Sequence, residues 1–203
     1  MGVLLDDFNR ADNTDPGANW IQQIHSAYPQ SHDIVSNQCK AATSGWCSDY
    51  WFQTYDQDQD AWCTIVQMPT TGAFRVVARI ENPQTASPTA YEFEIDASNS
   101  YLVRVDAPDY ARTTLDVGGV GFANGDGIKI KCEADTITGY RDAGAGWVEL
   151  CQVTGETYIP ATSYIGIITT NDTGLIIDDF GGGNLGSPET QSFYISRRRT
   201  VSR

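Results

Sequence analysis

The sequence predicts an all-β domain built as a two-sheet antiparallel sandwich. Three observations carry the prediction. Apolar and polar residues alternate with period two through the middle of the chain. Turn-forming clusters recur about every ten residues, a spacing typical of sandwiches and jelly rolls. No stretch of helical length shows a 3.6-residue period.

The ends echo each other. Near the N-terminus stands Val3-Leu4-Leu5-Asp6-Asp7-Phe8, and near the C-terminus Leu175-Ile176-Ile177-Asp178-Asp179-Phe180. Each is a short apolar run closed by Asp-Asp-Phe, too short for a helix, so each reads as a strand. The two are expected to lie side by side in one sheet, which makes the rest of the chain a closed β excursion. After the first strand, Asn13-Thr14-Asp15-Pro16-Gly17 is a turn cluster. Strands are expected over residues 20–24 and 34–39. Residues 46–62 carry six aromatics (Trp46, Tyr50, Trp51, Phe52, Tyr55, Trp62) and four aspartates, and read as a loop or two edge strands leading into Cys63-Thr64-Ile65-Val66.

The central strands are the clearest. Phe74, Val76, Ala78 and Ile80 alternate with Arg75, Val77, Arg79 and Glu81. Tyr91, Phe93 and Ile95 alternate with Glu92, Glu94 and Asp96, and Ile128, Ile130, Cys132 and Ala134 with Lys129, Lys131, Glu133 and Asp135. One apolar face per strand predicts a sheet that covers a core on one side only. Ala97-Ser98-Asn99-Ser100 is expected to turn a hairpin into residues 101–105, and Asn124-Gly125-Asp126-Gly127 to turn into the lysine strand. Asp142-Ala143-Gly144-Ala145-Gly146 turns again before residues 147–151, and residues 163–170 form the penultimate strand.

Composition bounds what the domain does. The chain has 203 residues and a formal net charge of −13. One domain of this size buries roughly 70% of its unfolded surface and needs no metal or disulfide to fold. The negative balance disfavours nucleic acid and anionic membranes as partners. Arg197, Arg198, Arg199 and Arg203 reverse the sign at the end. They read either as a solvated terminus or as a docking tail for an acidic neighbour, including another copy of the chain. The five cysteines show no Cys-x-x-Cys spacing and only two histidines are present, so no zinc site is expected and the thiols read as small buried apolar residues. No signal peptide or membrane-length apolar run precedes Asp6-Asp7.

Residues in chain order suggest a family. Asp6-Asp7-Phe8-Asn9-Arg10-Ala11-Asp12 followed by Gly17-Ala18-Asn19-Trp20 resembles the opening of concanavalin A-like (laminin G-like) lectin/glucanase domains, which are common in phage virion and bacterial surface proteins. Asp58-Gln59-Asp60-Ala61-Trp62, the hairpin around Tyr91-Glu92-Phe93-Glu94-Ile95-Asp96, the hairpin from Gly125 to Tyr140, and Tyr164-Ile165-Gly166-Ile167 with Ile177-Asp178-Asp179-Phe180 match later pieces in order. The resemblance covers about residues 3–185. It implies a jelly-roll sandwich of roughly twelve to fourteen strands over 1–185, with terminal strands adjacent and a tail over 186–203. It does not imply one function, since the same fold serves lectins, glycosidases and structural modules.

Chemistry-bearing residues are few. Glu92, Glu94 and Asp96 fall on one strand face at steps of about 6.7 Å, a spacing compatible with glycoside hydrolysis. The resemblance to the glucanases places Glu94-Ile95-Asp96 on their motif, but Asn99 stands where the acid/base glutamate belongs. Arg75, Arg79, Arg104, Lys129 and Lys131 offer the other reading, a cross-strand ladder of opposite charges. Asp56, Asp58 and Asp60 have calcium-loop spacing, but Ala61 replaces the turn glycine and Gln67 the terminal glutamate. Asp6, Asp7, Asp178 and Asp179 read as strand-end caps or as a looser calcium site. No cofactor is expected. Trp46, Tyr50, Trp51, Tyr55 and Trp62 are the candidate contacts for a partner protein or a glycan.

The expected function is therefore a non-catalytic phage virion surface protein, either a capsid decoration (cement) protein or a tail or fibre module. Its partners would be the major capsid protein or other virion proteins and further copies of itself, and it would be located on the virion surface. The alternative is a lectin-like module that recognises host glycans. A glycoside hydrolase comes third.

Overall fold

A computed structural model of the chain describes residues 2–22, 30–42, 45–85, 88–96, 98–108, 110–119 and 121–186. These residues contain sixteen strands and no helix. In order they are β1 (Val3–Asp6), β2 (Trp20–Gln22), β3 (Asp33–Val35), β4 (Gln38–Lys40), β5 (Cys47–Trp51), β6 (Tyr55–Asp56), β7 (Gln59–Gln67), β8 (Ala73–Glu81), β9 (Thr89–Ile95), β10 (Ser100–Asp106), β11 (Ala111–Val117), β12 (Gly127–Glu133), β13 (Thr136–Asp142), β14 (Trp147–Val153), β15 (Thr162–Thr170) and β16 (Ile176–Asn184). Apart from Gly186, the expected tail lies outside the described residues, and so do Arg197, Arg198, Arg199 and Arg203.

Two eight-stranded antiparallel sheets face each other. The first runs β14-β13-β12-β7-β16-β4-β3, with β1 added against β16; the second runs β11-β10-β9-β8-β15-β5-β2, with β6 added against β15. The chain ends meet as the sequence predicts: β1 pairs β16 with Val3 opposite Gly182, Leu4 opposite Gly181 and Asp6 opposite Phe180. Inward positions of both sheets form the main core, with Ala61, Cys63 and Ile65 from β7, Phe74, Val76 and Ala78 from β8, Tyr91, Phe93 and Ile95 from β9, and Ile128, Ile130 and Cys132 from β12. All five cysteines are free and buried. Burial pushes the Cys132 and Cys151 thiols up to about 12, so they behave as inert apolar groups.

Three expectations are corrected. The strand number exceeds twelve to fourteen because β3, β4 and β6 are two or three residues long and carry no readable period. Residues 46–62 are only in part a loop and an edge: among the described strands β6 pairs with β15 alone, but β5 lies between β15 and β2, and β7 lies at the centre of its sheet between β12 and β16. The second sheet also buries both faces. Tyr50, Val77, Ile80, Ala90, Val105 and Ile168 form a second apolar cluster on its outer side, with Ile21, Trp46, Tyr110 and Tyr164 packed against it.

The alternation in β8 fails at one residue. Arg79 has φ +51° and the pairing of β8 with β9 slips between Ala78 and Glu81. A bulge moves the following side chains to the opposite face. Ile80 therefore turns outward and Arg79 inward, where it is fully buried.

Candidate functional site

The five sequence-chosen aromatics separate. Tyr50 faces outward from the second sheet in an edge-to-face pair with Tyr164, ring centroids 5.2 Å apart. Trp51 and Tyr55 face the core. Trp51 packs edge-on against Trp20, centroids 5.5 Å apart. Trp46 is half-buried and its Nε1 donates to Asn171 Oδ1. Strand alternation explains the scatter, since neighbouring residues in β5 point to opposite faces. They do not form one aromatic patch.

Trp62 does reach the surface, on the outer face of the first sheet. It is half-buried and lines a cleft of about 320 Å³ with Thr64, Gly125, Gly127, Asp142, Gly144 and Trp147. Register builds this site. Gly127 lies opposite both Thr64 and Asp142, Lys129 lies opposite Trp62 and Tyr140, and Asp142 lies opposite Trp147. Each tryptophan lies over a glycine. A Cβ on Gly181, opposite Trp62, would sit 2.2 Å from the indole Cζ2. A Cβ on Gly127 would sit 2.8 Å from Trp147 Cη2. Only glycine lets either ring settle at these heights on the sheet. Lys129 is buried, with its Nζ 4.6 Å from the Tyr140 ring centroid and 4.4 Å from that of Trp147. Burial lowers its pKa from the ordinary lysine value. The ammonium thereby clamps Trp147 from its own side. At the rim, Asp142 Oδ1 accepts the Gly144 and Gly146 amides at 2.7 and 2.9 Å and so fixes the turn before Trp147.

The sequence pointed to Trp62 but missed Trp147 and Asp142. Their available signal was the glycine-rich turn from Asp142 to Gly146. In sequence that turn is punctuation alone, because the cleft depends on the register of four strands.

The carboxylates of β9 form an ion-pair cluster. Glu92 is fully buried. Its Oε2 lies 2.7 Å from Arg112 Nη2 and 3.3 Å from Arg75 Nε, while its Oε1 accepts the Tyr110 hydroxyl at 2.7 Å. Glu94 Oε2 accepts Arg112 Nη2 at 2.5 Å and also Arg75 Nε. Asp96 instead caps the hairpin, accepting the Ser98 and Asn99 amides at 2.7 and 2.8 Å. The ladder thus exists, buried at Glu92 and Arg75 and partly exposed at Glu94 and Arg112, but its membership differs. Arg75 belongs to it, and Arg112 replaces the others. Arg104 pairs with Asp106 and Glu156. Arg79 points inward, Lys129 and Lys131 belong to the other sheet, and Lys131 pairs with Glu133 at 2.5 Å. A glycosidase places its two carboxyls on opposite sides of a scissile bond. These two share the Arg75 and Arg112 guanidiniums.

The acids that read in sequence as strand-end caps or calcium ligands bind other partners. Asp6 accepts the Phe8 amide, both Nη atoms of Arg10 and Trp20 Nε1. Asp56, Asp58 and Asp60 diverge, toward Asn184, the Ala134 amide and the Gly2 amide respectively. Among the described residues no group of three or more His, Cys, Asp or Glu side chains is arranged to hold a metal ion. His32 donates from Nδ1 to Asp49 Oδ2 at 2.7 Å, and its Nε2 lies 2.9 Å from Thr169 Oγ1. This copies the order of a hydroxyl–imidazole–carboxylate triad, yet all three residues are buried and no substrate reaches the hydroxyl. A second cleft of about 490 Å³, lined by Asp15, Trp20, Ser31 and Asp33, ends at Gln22 and Gln30, which flank residues outside the described set.

No family model matches the chain, and no curated protein does. Solved structures match over most of its length. The exoplasmic/lumenal domain of VIP36 in a Ca2+/Man2-bound form aligns with TM-score 0.64 and 12% identity, over 93% of this chain and 89% of that one. The carbohydrate-binding module CBM66 from Bacillus subtilis aligns with TM-score 0.62 and 11% identity, over 82% and 96%. The β-glucanase of Bacillus licheniformis aligns with TM-score 0.60 and 12% identity, over 91% and 98%. At such identities the likeness is one of architecture, and the architecture is the concanavalin A-like jelly roll of lectin, binding-module and glucanase domains.

Proposed function

We propose that the chain is a non-catalytic carbohydrate-binding module. The carrying observation is the cleft on the first sheet, where Trp62 and Trp147 stand on glycine floors beside the Asp142 carboxylate and the Thr64 hydroxyl. Aromatic rings with a few polar groups at the rim suit sugars, which present C–H faces and hydroxyl edges. The architecture agrees, since two of the aligned structures carry mannose or a carbohydrate-binding name. The arginine-bound state of Glu92 and Glu94 supports binding without hydrolysis, although one aligned structure is a glucanase. The test is a glycan array, run with and without calcium, on the native chain and on Trp147→Ala. Binding that falls at least tenfold in the variant supports the reading. An array with no hits in either condition overturns it.

The virion-surface expectation rests on sequence readings: the family resemblance, the missing secretion signal, the incomplete catalytic motif and the basic tail on an acidic body. Its docking tail lies outside the described residues, and three of its five aromatic contacts are buried.

A further inference from the structure

The cleft says more about its ligand than that it is a sugar. We propose that it is a two-subsite platform for an internal stretch of a neutral glycan chain, with one sugar ring stacked on Trp62 and another on Trp147. This rests on the carbohydrate-binding reading and deepens it.

Separation of the rings is the first argument. Trp62 rises from β7 and lies over Gly181 on β16, whereas Trp147 rises from β14 and reaches across β13 to Gly127 on β12. The rings thus lean over β16 and β12, the strands on opposite sides of β7. Strand spacing near 4.8 Å puts them on the order of 10 Å apart. That is further than one sugar ring reaches, so a terminal monosaccharide fills one ring and leaves the other empty. A continuous chain fills both.

Rigidity is the second. Each ring has a glycine below it, and Trp147 is held by the Lys129 ammonium and by the turn that Asp142 fastens. Both rings are therefore set before a ligand arrives, which limits the ordering cost of binding.

Charge is the third. Asp142 carries the charge in the cleft lining, since the Cys63 thiol there is buried and its pKa is pushed well up by that burial. Lys129, on the strand next to Trp62, is only 6% exposed and lies over the rings of Tyr140 and Trp147. Among the described residues no Lys or Arg in the lining answers a uronate or sulfate, and the chain's net charge of −13 repels one.

Affinity electrophoresis through gels of hydroxyethylcellulose, xylan, galactomannan or polygalacturonate tests this, followed by calorimetry with one- to six-unit oligosaccharides cut from the retaining polymer. Retardation by a neutral polymer and not by polygalacturonate is expected. Affinity should rise at least tenfold between the monosaccharide and the tetrasaccharide, and Trp62→Ala and Trp147→Ala should each lower it at least tenfold. If Trp62→Ala does not fold, Trp62→Phe replaces it with a smaller expected loss. A flat length series, or a loss confined to one tryptophan, overturns the two-subsite proposal and leaves carbohydrate binding intact. Retention by polygalacturonate overturns the neutral-ligand claim. Binding unaffected by either tryptophan moves the ligand off this cleft. No retention by any polymer, with an empty glycan array, removes the carbohydrate-binding reading itself.

Discussion

The indole of Trp62 rests on Gly181, its partner across the β7–β16 ladder, so closely that a single added methyl group would meet it at 2.2 Å. The same methyl would lie 2.7 Å from the Val3 carbonyl oxygen, at the β1 edge that closes the fold. Gly181→Ala therefore presses on the cleft and on the pairing of the two chain ends together. Overpacking of this kind costs about 1–3 kcal/mol. A lower urea midpoint is expected, together with weaker glycan binding than the loss of stability explains. An unchanged midpoint would show that the ring moves away freely.

Arg79 yields a second prediction. Its Nε donates to the Gln57 carbonyl at 2.9 Å and its Nη2 to the Ala134 carbonyl at 2.6 Å, while its own amide donates to Gln59 Oε1 at 3.0 Å. One buried guanidinium thus ties the approach to β7 to the β12–β13 turn. Arg79→Ala removes both side-chain bonds and opens a cavity in the core, a loss of about 2–5 kcal/mol. Arg79→Gly, which relieves the positive φ, should recover none of the side-chain bonds and remain similarly destabilised. Denaturant melts of both variants check this, and a near-native midpoint for either would refute it.

For the His32–Asp49–Thr169 network a purely structural role is expected. Asp49 also accepts the His32 amide at 2.7 Å and the Ser31 hydroxyl, so its carboxylate joins the segment before β3 to β5. Asp49→Ala strands a buried imidazole and an amide, and should cost about 2–4 kcal/mol. Thr169→Val keeps the shape and should cost about 1 kcal/mol. Neither the native chain nor Thr169→Val should hydrolyse an activated ester above background; activity lost in Thr169→Val would reverse this assignment.

The fold was legible because its longest strands obey one rule. In β9 and β12 alternation holds from end to end, and the terminal echo of Asp-Asp-Phe marks the β1–β16 pair. Legibility stopped where a neighbour decides. Arg79 looked like a surface charge because alternation cannot show a bulge. The outer face of β8 looked polar because Arg75 flanks Val77, yet Glu92 and Glu94 neutralise that arginine and Tyr110 and Tyr164 cover the valine's surroundings. Trp147 sits in sequence beside a plain turn. It becomes a site residue only when strand order brings Gly127 beneath it and Trp62 to its side.

The acids give the last prediction, and they act in opposite directions. Burial, helped by the charges of Asp179, Asp7 and Asp6, raises Asp178 to about 6. Folding therefore takes up a proton between the ordinary value of 3.8 and about 6, and this contribution to stability falls as pH rises through that window. Asp178 is only half-buried, so the effect is about 1–2 kcal/mol after allowance for solvent. Asp172 behaves in the reverse sense. Burial pushes its pKa up, but the amides of Thr71, Leu175 and Thr70 and the Thr70 hydroxyl outweigh this and leave it below the ordinary value. Its contribution is present above the ordinary value and is lost as pH falls through the depressed one. Stability should therefore peak in mild acid, fall gently toward neutrality and collapse at low pH. Urea denaturation from pH 3 to 8 reads this profile. Asp178→Asn should shrink the decline between pH 4 and about 6, with Asp179 and Asp60, which burial also raises, keeping part of it, whereas Asp172→Asn should lower the whole curve above pH 4. If Asp178→Asn keeps the full decline toward neutrality, the proton taken up on folding belongs to another group.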